Sequence, residues 1–344
     1  MIVLINICEN FQTKRAKRVV NVFNCLKNKG NDVKIISSNF DHGEKKKLAS
    51  NNDGEILIPV FSYKSHFSAF RFVNHLWFAL CVFFILVRTK NLQVVYVSSI
   101  PPDLLFAVSL VKIVRAKIKV CADVRDIWPD SWPGQTVTLK SKCFKIYADF
   151  LNRFSFKRFD EIIIANPEYN EFVSRFNCSG TLATLGYDME RFSKIKERDR
   201  VGCVYIGNFN HSFDLRTLAE FIDTQADVRL IGDGPLMAEY RKSFGYAVFH
   251  GFVEPDVVPN MLSECVYGLL PITGKATLPN KLFDYYACGL HIITNSETAA
   301  MFWSNGEYRV IKSDVFLIRH ESLRKELFLD YSEVASEIVD IMLR

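Results

Sequence analysis

A helix start near the C-terminal third of the chain carries the groups that a phosphate site needs. The pattern predicts a helix over Lys281–Ala287, entered through Pro279 and Asn280, with Asp284 three residues after Lys281. A helix N-terminus offers free backbone N–H groups and partial positive charge, and Lys281 adds a full charge. Asp284 can share a face with Lys281. A diphosphate beside a hydroxyl-bearing ring fits this pair, but so does an ordinary helix cap with a solvated Lys–Asp pair.

Three turns that follow predicted strands carry further candidates. They contain Gly207 and Asn208, Gly232 and Gly234, and Gly251 and Phe252. Gly207 lets a phosphate approach the backbone and Asn208 offers an amide, while the backbone around Gly251 could face a flat base or sugar. Each turn alone is a weak signal of a binding site, because ordinary structural turns and a core aromatic residue account equally well for these residue types.

One segment in the first half combines acidic, basic and indole side chains. It runs from Ala122 through Arg125, Asp126 and Trp128 to Trp132, directly after an apolar run of strand length. Acids and tryptophans occur together where sugars bind, because an indole face stacks on the apolar face of a sugar ring. A purely structural Arg–Asp network is the alternative.

Several classes of protein are disfavoured by what the sequence lacks. No glycine-rich dinucleotide fingerprint, P-loop, Gly-x-Ser-x-Gly or His-Glu-x-x-His occurs, and no two Asp stand two positions apart. We therefore expect neither a cofactor nor a tightly bound metal. Nine Cys without a Cys-x-x-Cys pair predict reduced thiols in the cytoplasm, and acidic Glu9 comes too early for a signal peptide.

The charge distribution and hydropathy indicate that the first half of the chain meets an anionic surface. Residues 1–186 carry 26 Lys+Arg against 15 Asp+Glu, whereas 187–344 carry 17 against 23. Phe72–Val87 holds no charged residue and, at 16 residues, falls short of the roughly 20 that span a bilayer. It is either a buried helix or an interfacial one with basic flanks. Nucleic acid is disfavoured as a partner because no aromatic–basic interleaving is present.

The elements that must position these groups alternate as strand and helix. Two successive βαβ series predict two Rossmann-like, doubly wound parallel-sheet domains facing each other across a cleft, with the chemistry on loops after strands. We expect domains at 1–186 and 201–320, a linker at 187–200, and a C-terminal helix at 321–344 that packs back on the first domain. The predicted strands are Met1–Cys8, Val33–Ser37, Ile56–Val60 (an edge strand because of Pro59), Val94–Ser98, Ile118–Ala122, Glu161–Ala165, Val201–Ile206, Val228–Ile231, Ala247–His250, Tyr267–Pro271 and His291–Thr294. The predicted helices are Lys14–Lys29, Phe67–Val87, Asp103–Val114, Lys140–Arg158, Leu215–Thr224, Pro235–Phe244, Val257–Ser263 and Lys281–Ala287.

Taken in order, these motifs resemble glycosyltransferase family 4, the retaining GT-B enzymes, over essentially the whole chain. Arg125, Asp126, Trp128 and Pro129 are similar to the family's cleft segment on the acceptor-binding domain. The resemblance implies donor binding by the second domain. The implied donor-binding residues are Gly207, Asn208, Gly232, Gly234, Gly251, Phe252, Pro279, Asn280, Lys281 and Asp284. Asp284 takes the place of the acid that holds the ribose hydroxyls. The family's other acid is missing, because Ala276 stands there.

The branch most similar to this chain builds bacterial O-antigen and capsule. The resemblance therefore implies transfer of a sugar from a nucleotide-diphosphate sugar, such as a UDP-sugar, to a polyprenyl-diphosphate-linked saccharide. Transfer would retain anomeric configuration, at the inner face of the cytoplasmic membrane. Asp126, Arg125 and Lys281 are the expected catalytic residues. Two alternatives stay open: a catalytically weak GT-B-like subunit that binds a partner transferase or the membrane, and a nucleotide-sugar epimerase.

Overall fold

The computed structural model describes residues 1–13, 17–41, 45–48, 52, 54–63, 69–130, 139–193, 195, 199–272, 278–312 and 314–344. Several positions used in the sequence analysis lie outside these ranges: Trp132, Ala276, and residues 14–16 and 67–68, where the first two predicted helices start. All nine cysteines are free.

The chain divides into two compact units, Met1–Ala183 with Ser332–Arg344, and Thr184–Tyr331. The chain returns to the first unit at Ser332, later than residue 321, where the sequence predicts the return. Residues 321–330 contain short 3₁₀ turns, and Leu323 and Leu327 are buried in the core of the second unit. The predicted helix over 321–344 is therefore wrong in its first ten residues, because these apolar side chains pack with the second unit. The helix itself is Tyr331–Leu343.

The first unit is built on a seven-stranded parallel sheet with the order β5-β2-β1-β6-β7-β8-β9. β5 lies at the edge, as Pro59 predicts. The strands are β1 Ile2–Ile5, β2 Val33–Ser38, β5 Glu55–Ile58, β6 Val94–Ser98, β7 Lys119–Val124, β8 Glu161–Ile164 and β9 Thr181–Leu182, with a separate antiparallel pair β3 Phe40–Asp41 and β4 Lys46–Lys47. The helices are α1 Arg18–Asn28, α2 Ala69–Arg88, α3 Pro102–Val114, α4 Leu139–Phe156, α5 Tyr169–Ser174 and the closing α12 Tyr331–Leu343.

The second unit has its own seven-stranded sheet with the order β12-β11-β10-β13-β14-β16-β15. The first five of these are parallel, and β16 pairs antiparallel with both β14 and β15. The strands are β10 Cys203–Ile206, β11 Val228–Ile231, β12 Val248–Gly251, β13 Tyr267–Leu269, β14 His291–Thr294, β15 Arg309–Lys312 and β16 Val315–Ile318. The helices are α6 Met189–Phe192, α7 Ala219–Ile222, α8 Met237–Ser243, α9 Val258–Ser263, α10 Asn280–Ala287 and α11 Glu297–Ser304. Two parallel-sheet α/β units of this kind make up the GT-B fold, as the sequence predicts.

Helix α2 has one buried and one exposed apolar face. Phe78, Val82 and Leu86, spaced four residues apart, are buried in the core of the first unit. Leu76 and Leu80 on the other side are 63% and 47% exposed. Of the described helices, this is the one long and apolar enough to cross a membrane by length and composition, although a core helix passes the same test. The buried interpretation of the uncharged segment therefore holds for one face, and the interfacial interpretation of the other face stays a prediction.

Candidate functional site

The three glycine turns of the second unit lie together at one edge of its sheet. Each follows one of the neighbouring parallel strands β10, β11 and β12, so their carboxyl ends share an edge. The Gly232 N–H donates to the Gly251 carbonyl at 2.8 Å, and the Phe209 N–H donates to the Asp233 carbonyl at 2.9 Å. The structure thus brings together turns that are up to 44 residues apart in the sequence.

Two of these glycines are required by close packing between the turns. A Cβ at Gly232 would lie 1.9 Å from the Gly207 carbonyl oxygen, and one at Gly234 would lie 2.3 Å from Asn208 Oδ1. Both have positive φ, 133° and 155°. No side chain fits at either position, so the first two turns form one compact layer of backbone.

Lys281 lies against this layer. Its Nζ donates to the Tyr205 hydroxyl at 2.7 Å and stands 4.0 Å and 3.8 Å from the ring centroids of Tyr205 and Phe213. A Cβ at Gly207 would come within 3.1 Å of the same nitrogen. The ammonium therefore sits between two aromatic faces and a bare stretch of backbone.

The electrostatics of Lys281 are those of a cation without a counter-ion. Among the described residues no carboxylate forms an ion pair with it. Burial lowers the pKa of Lys281 to about 7. An anionic ligand placed here would restore the favourable environment of the charged form.

Asp284 faces a different neighbour. Burial raises the pKa of the Asp284 carboxyl to about 6, and the charge of Arg191 acts against that rise. Lys281 is not among the groups that shift it. The solvated Lys281–Asp284 pair considered from the sequence is therefore not formed: the two side chains are one helical turn apart but have separate environments.

Helix α10, which carries both residues, is fixed to the sheet by Tyr285. The Tyr285 hydroxyl accepts from the Ile206 N–H at 3.1 Å and lies 3.2 Å from the Leu269 carbonyl, to which it donates. The helix begins at Asn280 after Pro279. One phenol thus connects the helix to strands β10 and β13 and sets the position of Lys281.

Sequence reasoning missed three residues of this site: Tyr205, Phe213 and Arg191. Tyr205 belongs to a predicted apolar strand, Phe213 lies in a short 3₁₀ turn, and Arg191 falls in the predicted linker. A polar aromatic residue next to the end of a strand was the one available signal for Tyr205.

Arg125 belongs to a pair of neighbouring ion pairs in the first unit. Arg125 Nη1 lies 2.6 Å from Glu9 Oε2, and the other carboxylate oxygen of Glu9 accepts from the Val19 N–H at 2.6 Å near the start of α1. Beside them, buried Arg18 and Asp123 form an ion pair at 3.0 Å. This part of the segment is the structural charge network considered from the sequence, although the partner of Arg125 is a glutamate.

Asp126 and Trp128 are placed by their own loop. Asp126 Oδ1 accepts from the Ile127 N–H at 2.9 Å. Trp128 is 7% exposed, so its ring is largely covered. Of the predicted catalytic residues, Arg125 and Asp126 lie in the first unit and Lys281 in the second.

A cavity of about 370 Å³ opens in the second unit beside Arg191. Its lining includes three acids, Asp188, Glu190 and Asp256, and does not include Lys281 or the glycine turns. Its polarity is wrong for a phosphate. In the described part of the chain no group of three or more metal-ligating side chains occurs.

Comparisons with known proteins fit this geometry. Residues 200–320 match the family model described as glycosyl transferases group 1. No curated protein sequence matches the chain. Sucrose-phosphate synthase from Thermosynechococcus elongatus superposes with a TM-score of 0.69 at 12% identity, over 99% of this chain and 97% of the other.

Two further solved structures have the same fold. Anabaena HepE in complex with UDP gives a TM-score of 0.63 at 10% identity, over 99% of both chains. WaaG, a glycosyltransferase involved in lipopolysaccharide biosynthesis, gives 0.57 at 12% identity, over 99% of this chain and 95% of the other. Residues 200–320 thus form a glycosyl transferases group 1 domain within a chain of GT-B fold, and the protein is a transferase of the glycosyltransferase class.

Proposed function

We propose that the protein transfers a sugar from a UDP-type nucleotide-diphosphate sugar to a polyprenyl-diphosphate-linked saccharide, with retention of anomeric configuration, in bacterial O-antigen or capsule synthesis. One observation carries the donor half: the Lys281 ammonium is partly buried against a bare glycine turn, and no carboxylate of the described residues pairs with it. Such a site is unfavourable for the empty protein and favourable once a diphosphate is bound.

Lys281 stabilises the leaving nucleotide in this account. Departure of the diphosphate leaves an oxocarbenium-like centre and places growing negative charge on the leaving oxygen. Lys281, the N-terminal N–H groups of α10 after Pro279 and Asn280, and the backbone at Gly207 and Asn208 are aimed at that charge. We predict that no metal ion is needed to neutralise this negative charge.

The remaining donor contacts follow from the arrangement of the turns. Asp284 accepts from the ribose hydroxyls, and the backbone near Gly232, Gly234 and Gly251 surrounds the nucleotide, with Phe252 as its aromatic neighbour. Phe252 is 66% exposed and so is accessible to a ligand. HepE was solved in complex with UDP, with UDP and glucose, and with UDP-glucose, which supports a UDP-sugar.

Asp126 and Arg125 are assigned to the acceptor half. Arg125 is held by Glu9, so it acts by fixing the loop that carries Asp126. Asp126 then orients the acceptor, and retention requires that its hydroxyl attack from the face of the leaving group. The departing phosphate oxygen takes the hydroxyl proton, which is how retention is achieved without a covalent intermediate.

The exposed face of α2 supports attachment to the inner face of the cytoplasmic membrane. Leu76, Trp77 and Leu80 are each nearly half exposed or more, and Arg88 ends the helix. Aromatic and aliphatic side chains with basic flanks are typical of interfacial helices. Vesicle flotation tests this: Leu76→Glu should reduce binding to phosphatidylglycerol vesicles, whereas Val310→Glu, a similarly exposed residue of β15, should not.

A transfer assay tests the function. Purified protein is incubated with UDP-sugars and a lipid-linked saccharide, and the product is detected by its mass. Wild type should add one sugar, and Lys281→Ala should abolish or nearly abolish transfer while its circular dichroism stays native. Full activity in Lys281→Ala would refute the phosphate assignment. Donor binding without transfer to any acceptor would favour a non-catalytic subunit, and a change in the donor sugar alone would favour an epimerase.

A further inference from the structure

A cluster of cations in the first unit is not used by the donor site. Lys45 precedes β4, Arg71 lies in the first turn of α2, and Arg125 follows β7. All three act electrostatically on the thiol of Cys8. We call Lys45, Arg71 and Arg125 the cation cluster.

Lys45 is the most informative member of the cation cluster. Its Nζ is out of contact with solvent and has no hydrogen-bond partner in the part of the chain that the structure describes. It stands 4.7 Å above the ring of Tyr63. Burying a charged donor without a partner is costly, so an anion placed beside this nitrogen would be bound favourably.

Two acids among the described residues, Glu9 and Asp41, act on the cation cluster. Glu9 pairs with Arg125. Burial lowers the pKa of Lys45, and repulsion from Arg71 lowers it further by more than Asp41 raises it. Two cations therefore repel each other at this place, and an anion bound between them would relieve that repulsion.

The surroundings indicate what kind of anion fits. The Arg71 guanidinium lies 5.1 Å from the ring of Trp128, in the Arg-Asp-x-Trp-Pro segment. Next to Arg71 in the chain, Phe70 is 59% exposed and packs on Phe61, which is 56% exposed, at 6.4 Å between centroids. The exposed face of α2 continues from there. A positive site thus borders an apolar surface, which is the complement of an amphiphile with an anionic head.

We infer that Lys45 and Arg71 of the cation cluster bind the phosphate groups of a lipid-linked acceptor, whose hydrocarbon chain lies along the exposed face of α2. This inference rests on the proposed function, since it assigns the acceptor's anionic part to Lys45 and Arg71. Guanidinium and ammonium groups that converge on one phosphate are typical of such sites.

Binding of farnesyl diphosphate, a short soluble diphosphate lipid, tests the inference by titration calorimetry. Lys45→Gln and Arg71→Gln should each weaken its affinity by at least roughly tenfold, because each removes a charged hydrogen bond. Lys47→Ala, an exposed lysine of the neighbouring strand β4, is the matched control and should bind as wild type does. Lys281→Gln should leave this affinity unchanged, which separates the cation cluster from the donor site. Farnesol should bind equally weakly to all the proteins.

Three results separate the outcomes. Unchanged farnesyl diphosphate affinity in folded Lys45→Gln and Arg71→Gln would overturn the inference, even if wild type transfers sugar to a lipid-linked acceptor. Loss of phosphatidylglycerol vesicle binding with unchanged farnesyl diphosphate affinity would also overturn it, because the cation cluster would then serve bilayer headgroups. Loss of farnesyl diphosphate affinity in a protein that transfers no sugar would support the site and refute the proposed function.

Discussion

Donor binding should require uptake of a proton by Lys281. In the free protein burial lowers the pKa of Lys281 to about 7. A bound diphosphate favours the ammonium form and raises the pKa again. Donor affinity is therefore highest where Lys281 is already protonated, and it falls as the pH rises above about 7.

The size of the effect follows from the protonated fraction. Between pH 7 and pH 8.5 the protonated fraction of Lys281 in the free protein falls about 16-fold, so the donor should bind about 1.6 kcal/mol more weakly. At pH 8 each binding event should take up about 0.9 proton. This range lies above the pKa of about 6 for Asp284, so that carboxyl stays mostly ionised.

Titration calorimetry with a UDP-sugar measures both quantities. The sugar ester is preferable to UDP, because a terminal phosphate titrates near pH 6. Proton uptake is obtained from heats in buffers of different ionisation enthalpy. Lys281→Met keeps a long unbranched chain. This variant should bind the UDP-sugar weakly, with an affinity that does not fall as the pH rises. A flat affinity from pH 7 to 8.5 in wild type, or the same pH dependence in Lys281→Met, would refute the reasoning.

Three further predictions concern other parts of the structure. Donor affinity of wild type should fall as the pH drops below about 6, where Asp284 is protonated. Asp284→Asn should raise the donor KM and should not lose affinity at acidic pH. An unchanged KM would show that the ribose is held elsewhere. Gly232→Ala should destabilise the protein by more than about 3 kcal/mol in urea unfolding, because its Cβ would meet backbone at 1.9 Å. Gly251→Ala, with nothing within 4 Å, should cost only about 1 kcal/mol, so equal losses would contradict the packing argument. Glu9→Ala should cost about 3–5 kcal/mol, since it leaves Arg125 without its partner and α1 without its cap; a midpoint within error of wild type would show that this network is not stabilising.

The central strands of both sheets were predictable because they are short, continuous apolar runs, whereas β9, β15 and the buried β16 were not predicted. Val94–Ser98, Val228–Ile231 and His291–Thr294 coincide with the observed strands. Strand β15 was missed because all four of its residues are exposed, so it has no buried face to produce a pattern. The predicted helix over Leu215–Thr224 is a 3₁₀ turn followed by a single α-turn, a difference that apolar spacing does not resolve.

The candidate site was only partly predictable, because its side chains meet across long stretches of sequence. Positive φ and close backbone contact explain why glycine occurs at the predicted turns. The Tyr205 hydroxyl, 76 residues from Lys281, cannot be paired with it from spacing. Nor could the sequence show that Arg125 binds Glu9, 116 residues away. The residues of the turns could be predicted from the sequence, whereas side-chain contacts between residues far apart in the sequence depend on the fold.

The central claim is that Lys281 and the glycine turns form a nucleotide-sugar donor site. A thermal-shift panel of UDP-, GDP-, CDP- and dTDP-sugars at pH 7, with wild type and Lys281→Ala side by side, tests it most directly. The account predicts that one nucleotide class, the UDP-sugars, raises the Tm of wild type and that Lys281→Ala loses this rise. A folded wild-type protein whose Tm no nucleotide sugar changes would contradict the claim.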